Sequence, residues 1–230
     1  MGYGFTRRQF LAAGATACLT VLVGCGSGRA ASAGSASNAT AAFGSAALAH
    51  SSTTGGVESS TSFTTGSKVL VVYFSYTGHL DTMAHWIVDE VGGDLVRVTA
   101  AEPYPDDYNA TVDRAKSEQD EGARPEIDVS LTPEQLEGYD TVFFGFPVWW
   151  YDLPMPMWTF LESYDFSGKA IIPFFSHEGS ASGANALSSL ESLAKGVTVR
   201  SQDALSIHGD NVNGSESAVR TWAAGFGYSK

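Results

Sequence analysis

The strongest constraint on the fold is a set of continuous apolar runs, each about as long as one strand. They are Val69–Phe74, Val142–Phe146 (with Gly145) and Ala170–Phe175. A strand with one face in water alternates apolar and polar residues, so unbroken runs favour a parallel sheet covered on both faces. Leu95–Val98 and Val197–Ile207 are more mixed, as expected of edge strands.

Helical patterns lie between these strands. Apolar residues recur at spacings of three and four in stripes that begin at Leu80, Ala184 and Val219. Such spacing predicts helices with one buried face. Because strands and helices alternate, the sequence predicts an α/β fold, a three-layer, doubly wound parallel sheet of five strands.

Residues 101–131 interrupt the alternation and predict a long connection between the second and third strands. A helix is expected over about 106–121, between prolines. Asp106 and Asp107 are adjacent at its start, which permits either helix capping or acid–base chemistry. Neighbours on a helix point about 100° apart, and Asp suits a first turn, so capping is favoured.

Charge and cysteine content exclude several functions. The chain has 13 basic and 25 acidic side chains, a net charge of −12. Nucleic-acid binding is not expected, because it normally requires a basic surface. The two cysteines, Cys18 and Cys25, both lie near the N-terminus. The following domain therefore has no cysteine zinc site, catalytic thiol or disulfide framework.

Residues 1–24 are expected to be an export signal. Thr6–Leu11, with the pair Arg7-Arg8, resembles the twin-arginine motif; an ordinary secretory signal is the alternative. Leu22–Cys25 resembles a bacterial lipobox, in which the cysteine is lipidated and becomes the first residue of the mature chain; a chance cysteine is the alternative.

Residues 25–67 are expected to be the lipidated Cys25 followed by a disordered linker. Of the 42 residues from Gly26 to Ser67, 34 are Gly, Ala, Ser or Thr. Such a segment has too few large apolar side chains to form a core. The sequence thus predicts an exported protein with a folded domain over 68–230. A lipid anchor would hold it at the outer face of the bacterial cytoplasmic membrane.

Three loops follow strand ends, and the first indicates an anion site. It consists of Ser75, Tyr76, Thr77, Gly78 and His79, at the start of the first helix. Hydroxyls and backbone N–H groups at a helix N-terminus bind anions. The loop lacks Lys, Arg and the nucleotide motifs GxxxxGK[ST] and GxGxxG, so a single phosphate monoester is favoured. A simple helix cap is the alternative.

The other two loops have different chemistry. The second carries adjacent tryptophans, which predict a stacking wall for a flat ring, or alternatively core packing. The third is rich in glycine and short side chains, so its backbone can approach a ligand closely. Ligands on such sheets bind beyond the strand C-termini, where all three loops meet. The second loop contains Pro147, Val148, Trp149, Trp150 and Tyr151, and the third contains Ser176, His177, Glu178, Gly179 and Ser180.

Together these loops resemble those of the flavodoxin family, over about Lys68 to Ile207. The resemblance implies strand order 2-1-3-4-5 and non-covalently bound FMN. It implies that the first loop holds the 5′-phosphate, the second flanks the isoalloxazine, and the third approaches its pyrimidine edge or N5. The phrases that carry it are Val72–Gly78, Pro103–Tyr108, Pro147–Trp150, Phe160–Glu162 and Ser167–Lys169.

The chain departs from the family pattern at three places. His79-Leu80 stands where the family usually has Asn-Thr, so one phosphate-binding hydroxyl is missing. Tyr151 stands where the family often has Gly or Ala. His177-Glu178 replaces a stretch that resembles Thr-Ser-Gly-Gly in the family. These departures leave FMN binding as the expectation and concern mainly the redox properties of the flavin.

Three functions fit an FMN protein with these features. The favoured one is an electron carrier that passes electrons between redox protein partners, some with basic docking surfaces that match its acidic surface. The second is an FMN-dependent reductase of quinones or other small acceptors. The third is a non-redox flavin-binding lipoprotein. The sequence leaves open whether the protein is an enzyme.

Overall fold

The computed structural model describes residues 68–179 and 183–228. The predicted signal, the lipidation site at Cys25, the linker and Ser180 lie outside the described residues. No helix among the described residues is long and apolar enough to span a membrane.

The domain is built on one sheet with strand order β3-β2-β1-β4-β5-β6, and β7 also pairs with β5. All pairings are parallel except that of β3 with β2. The strands are β1 (Val69–Phe74), β2 (Asp94–Ala100), β3 (Ile127–Val129), β4 (Thr141–Pro147), β5 (Ala170–His177), β6 (Thr198–Val199) and β7 (Leu205–His208).

The predicted five-strand order is confirmed along β2, β1, β4, β5 and the last strand, with two additions. The predicted last strand is divided into β6 and β7 by a 3₁₀ turn at Ser201–Asp203. The two pieces pair with the start and the end of β5, respectively. The 101–131 connection also adds β3, a three-residue antiparallel edge strand that the sequence analysis missed.

Helices cover both faces of the sheet. The core on one face contains residues of α1 and α6, and the core on the other contains residues of α4 and α5. The three predicted apolar stripes are confirmed as α1, α5 and α6. The helices are α1 (His79–Val91), α2 (Tyr108–Glu121), α3 (Pro133–Glu137), α4 (Met155–Ser163), α5 (Ala184–Leu193) and α6 (Glu216–Ala224).

The central strand β1 is buried on both faces, as its unbroken apolar run predicts. Val69, Val71 and Tyr73 belong to the core with α1 and α6, and the alternate residues belong to the opposite core. Every residue of β1 is buried. Since parallel strands end at the same edge, this arrangement brings together the loops after β1, β4 and β5.

The two aspartates at the start of α2 have different roles. Asp107 is the N-cap, and its Oδ1 accepts a hydrogen bond from the Ala110 N–H at 2.8 Å. The capping interpretation is therefore correct for Asp107. Asp106 is exposed one residue before the cap.

We expect Asp107→Ala to lower the free energy of unfolding by about 1 kcal/mol, because it removes an N-cap. Asp106→Ala is the matched control and should change stability by no more than about 0.5 kcal/mol. Urea unfolding followed by circular dichroism measures both. Equal effects of the two substitutions would contradict the assigned cap.

Candidate functional site

A cavity of about 750 Å³ lies at the C-terminal edge of the sheet, where the three loops meet. This volume is in the range of small-molecule and cofactor sites. Most predicted site residues line it. They are Tyr76, Thr77, His79, Pro147, Val148, Trp149, Trp150, Tyr151, Ser176, His177 and Glu178. Ser75, Gly78 and Gly179 belong to the same loops without lining the cavity.

The first loop presents an uncapped helix N-terminus to the cavity. The first backbone hydrogen bond of α1 runs from the Thr82 N–H to the Gly78 carbonyl at 3.0 Å, and no side chain caps the helix. The preceding N–H groups therefore remain available to an acceptor. Gly78 has φ +92°, which glycine adopts without a Cβ penalty, and its N–H donates to Ser75 Oγ at 3.2 Å.

A charged residue beneath the loop fixes its position. Arg97 of β2 donates to the Ser75 carbonyl at 3.0 Å and lies 3.6 Å from the Asp81 carboxylate. The Tyr73 hydroxyl also donates to Asp81, at 2.6 Å, and burial and this bond raise the pKa of Tyr73. The sequence analysis did not predict this role of Arg97. The available signal was a positively charged residue within the predicted edge strand Leu95–Val98.

Trp149 packs against core residues and also lines the cavity, while stacking of a flat ring against it stays a prediction. Its ring is half-buried and lines the cavity. Phe74, Tyr76 and Tyr104 meet it nearly at right angles, with ring centres 5.4, 5.9 and 5.0 Å away. Edge-to-face contacts of this kind hold an aromatic ring in one orientation.

A second layer fixes Tyr104. Its hydroxyl donates to the Glu118 carboxylate, and the Arg114 guanidinium lies over its ring at 4.2 Å. Arg114 also pairs with Glu118 at 2.8 Å. Burial and the bond to Glu118 raise the pKa of Tyr104. The hydroxyl therefore stays protonated and neutral, and helix α2 holds the ring that supports Trp149.

Trp150 and Tyr151 form a strained turn at the cavity mouth. Their φ angles are +48° and +67°, in the left-handed region that costs a residue with a side chain about 1–2 kcal/mol. Paired backbone bonds of 2.9 Å between Trp149 and Asp152 close the turn. Both side chains are nevertheless exposed, at 42% and 61%. Strain of this kind is concentrated at functional sites.

Helix α2 supplies a wall of the cavity that the sequence analysis did not predict. The wall residues are Tyr108, Thr111, Val112 and Ala115. Their spacing of three and four residues indicates one face of a helix. The signal is weak because Thr111 is polar and Ala115 is small. The helix is joined to the second loop by a 3.2 Å hydrogen bond from Trp150 Nε1 to the Val112 carbonyl.

The third loop carries a buried imidazole nitrogen without a protein partner. His177 lines the cavity, and its Nδ1 has no hydrogen-bond partner within the described part of the chain. The neighbouring Ser176 is buried, and its carbonyl accepts from the Val148 N–H at 2.8 Å, which joins the second and third loops. An orphaned buried polar atom is costly unless a ligand or water satisfies it.

Comparison with known proteins identifies the family. A family model described as Flavodoxin matches residues 68–224. The chain belongs to the flavodoxin family. Its match covers more than two thirds of the chain and includes all three loops that line the cavity.

Solved structures of flavodoxin-like proteins agree with this assignment. A protein from Bacteroides eggerthii named as a flavoprotein is 30% identical, with a TM-score of 0.57 over 71% of this chain and 99% of that one. A Bacteroides uniformis protein of the same description is 31% identical, with a TM-score of 0.57 over 68% and 97%. A Lactobacillus acidophilus flavoprotein in complex with FMN is 25% identical, with a TM-score of 0.52 over 66% and 99%.

The residues of this flavodoxin-family domain fit FMN. The uncapped N-terminus of α1 suits a phosphate, and Thr77, which precedes this helix, lines the same cavity. Trp149 and Trp150 offer flat surfaces to a ring system.

We expect Thr77→Ala to weaken FMN binding at least about tenfold and to leave riboflavin binding unchanged, because the hydroxyl would meet only the phosphate. A hydrogen bond to a charged group contributes about 1.5–3 kcal/mol, and 1.4 kcal/mol is tenfold in affinity. Flavin fluorescence quenching measures both dissociation constants.

Thr82→Ala is the control for this substitution, because Thr82 lies in α1, just after the loop that carries Thr77, and does not line the cavity. It should bind both flavins as the wild type does. A parallel loss of FMN and riboflavin affinity in Thr77→Ala would show that the hydroxyl does not contact the phosphate.

The strained turn gives a second prediction. Tyr151→Gly and Tyr151→Ala remove the same ring, but only glycine relieves the left-handed backbone. We expect the Gly variant to be about 1 kcal/mol more stable than the Ala variant in urea unfolding, with FMN binding weakened equally in both. Equal stabilities would mean that the turn relaxes without cost.

Proposed function

We propose that this flavodoxin-family protein is an FMN-dependent electron carrier anchored at the outer face of the cytoplasmic membrane. Its cofactor is FMN. The observation that carries the proposal is the single cavity that joins an uncapped helix N-terminus to an aromatic wall. The FMN complex of the Lactobacillus acidophilus relative supports the cofactor.

The protein supplies binding, orientation and electrostatics to the cofactor. FMN, when bound, can accept and release one or two electrons. Thr77 and the N–H groups of α1 would hold the phosphate. Trp149 and Trp150 would cover the ring and exclude water from it. His177 would lie beside the ring as part of the cavity wall, and Glu178 would bring negative charge close to it.

The position of the chain's attachment supports the carrier role. The linker predicted from the sequence leads into β1 at Lys68, whereas the cavity lies beyond the other end of this strand. Six residues of extended chain separate the two by about 20 Å. An anchor at Cys25 would therefore hold the domain by the edge opposite its cavity and leave the cavity mouth accessible to partners.

The surface at the cavity mouth suits a basic protein partner. Three large apolar side chains, Tyr108, Trp150 and Tyr151, are exposed there. The acidic Glu178 and Asp210 also line the cavity, and none of its lining residues is Lys or Arg. An exposed apolar patch with acidic neighbours favours a partner with a basic rim.

Helix α2 favours a second candidate function, the reduction of a small acceptor such as a quinone. Tyr108, Thr111, Val112 and Ala115 enclose the cavity on a side that the three loops leave uncovered. A wall of this kind admits a small molecule to the flavin and restricts the approach of a protein.

Electron-transfer kinetics of the full-length, FMN-loaded protein distinguish the two functions. After its FMN has been reduced with dithionite and the excess dithionite removed, a carrier should reduce cytochrome c, used as a basic protein acceptor, in a single turnover whose rate falls steeply with salt. It should not sustain turnover with NADH or NADPH and a quinone. Sustained, saturable quinone reduction from either nicotinamide would support the reductase and contradict the carrier.

A pair of charge reversals locates the docking surface. Asp106 lies two residues before Tyr108, which lines the cavity, and Glu137 ends α3, just before the start of β4 at the opposite edge of the sheet. The two substitutions are Asp106→Lys and Glu137→Lys. Both change the net charge equally. The carrier proposal expects Asp106→Lys to slow reduction of cytochrome c at low salt more than Glu137→Lys does. Equal slowing would indicate that only net charge matters.

A further inference from the structure

A group of metal-ligating side chains lies at the mouth of the cavity, outside the proposed flavin contacts of the first two loops. Glu178 follows β5, His208 ends β7, and Asp210 lies in the 3₁₀ turn Gly209–Gly214. The parallel register pairs His177 with His208, so the two strand ends are fixed side by side. One ligand atom from each of the three residues lies within 4.8 Å of the others.

The charges of this group are not balanced. His208 Nε2 lies 3.7 Å from the Glu178 carboxylate, and its Nδ1 lies 3.8 Å from the Asp210 carboxylate. Among the described residues, no Lys or Arg forms an ion pair with either carboxylate. Two carboxylates thus share one imidazole, in a protein whose net charge is −12, and this field attracts cations.

As a neutral ring, the imidazole of His208 cannot accept both of the hydrogen bonds directed at it. The Gly179 N–H points at its Nε2 at 3.2 Å, and the Asp210 N–H points at its Nδ1 at 3.3 Å. A neutral imidazole has only one lone pair in its plane, so it can accept only one of these hydrogen bonds. A cation on one nitrogen would use its lone pair and replace the N–H donor that now points at it.

A second imidazole adjoins the group. A Cβ on Gly209 would lie 2.0 Å from Glu178 Oε1 and 2.9 Å from His79 Cε1, so both side chains rest on this glycine. The absence of a side chain at Gly209 lets Glu178 and His79 approach the turn that carries Asp210. His79 therefore lies beside this turn, but it is not one of the three clustered residues.

We propose that Glu178, His208 and Asp210 bind a divalent transition metal ion at the mouth of the cavity. Imidazole together with carboxylates suits Zn²⁺. Three protein ligands leave a position open for water. The exposed fractions of the side chains, 67% for Glu178, 33% for His208 and 89% for Asp210, indicate an exchangeable site rather than a structural one.

Isothermal titration of the full-length protein with Zn²⁺ tests this site. The wild type should bind one Zn²⁺ saturably. His208→Asn and Asp210→Asn should each weaken binding at least about tenfold, because each removes a ligand. The matched control is His85→Asn: His85 also faces a carboxylate, that of Asp81 at 3.7 Å, but is not one of the three clustered residues. Binding in this variant should be unchanged.

Several outcomes would overturn the proposal. The absence of saturable Zn²⁺ binding by the wild type would show that His208 is only a protonated bridge between two carboxylates. Unchanged binding in both Asp210→Asn and His208→Asn would place the metal elsewhere. Because the Asp210 side chain is almost fully exposed, Asp210→Asn keeps the test decisive even if His208→Asn fails to fold. Flavin absorbance of the same samples reports FMN separately.

Discussion

Burial of strand β1 on both faces is the constraint on which the rest of the structure depends. Its alternate residues enter two separate cores, so helices must cover both sides, and its neighbours β2 and β4 run parallel to it. The loops after β1, β4 and β5 then meet at one edge because the strands that carry them run in the same direction. The cavity is a consequence of this arrangement, and the side chains of the loops determine what it can bind.

Contacts beneath and behind the loops hold them in place. Arg97 ties the first loop to β2, and the rings around Trp149 tie the second loop to the core. Helix α2 bonds to Trp150, so the long connection after β2 becomes part of the site. A preformed cavity of this kind lowers the ordering cost of binding a cofactor and helps to maintain the left-handed turn at Trp150 and Tyr151.

The sequence predicted the features that follow from local pattern. Unbroken apolar runs predicted the central strands, and helical spacing predicted α1, α5 and α6. The position of three loops after strands predicted their convergence. The sequence did not predict the contribution of α2, because the direction of a long connection depends on tertiary contacts. It also gave no indication that His208 and Asp210 approach Glu178, since this depends on how β7 pairs with β5.

The central claim is that this flavodoxin-family domain holds FMN in the cavity at the C-terminal edge of its sheet. The most direct test is the absorbance spectrum of the purified full-length protein, with the mass of the flavin released on denaturation. The account predicts a yellow protein that releases FMN, one molecule per chain. A colourless protein that remains colourless after incubation with excess FMN would contradict it.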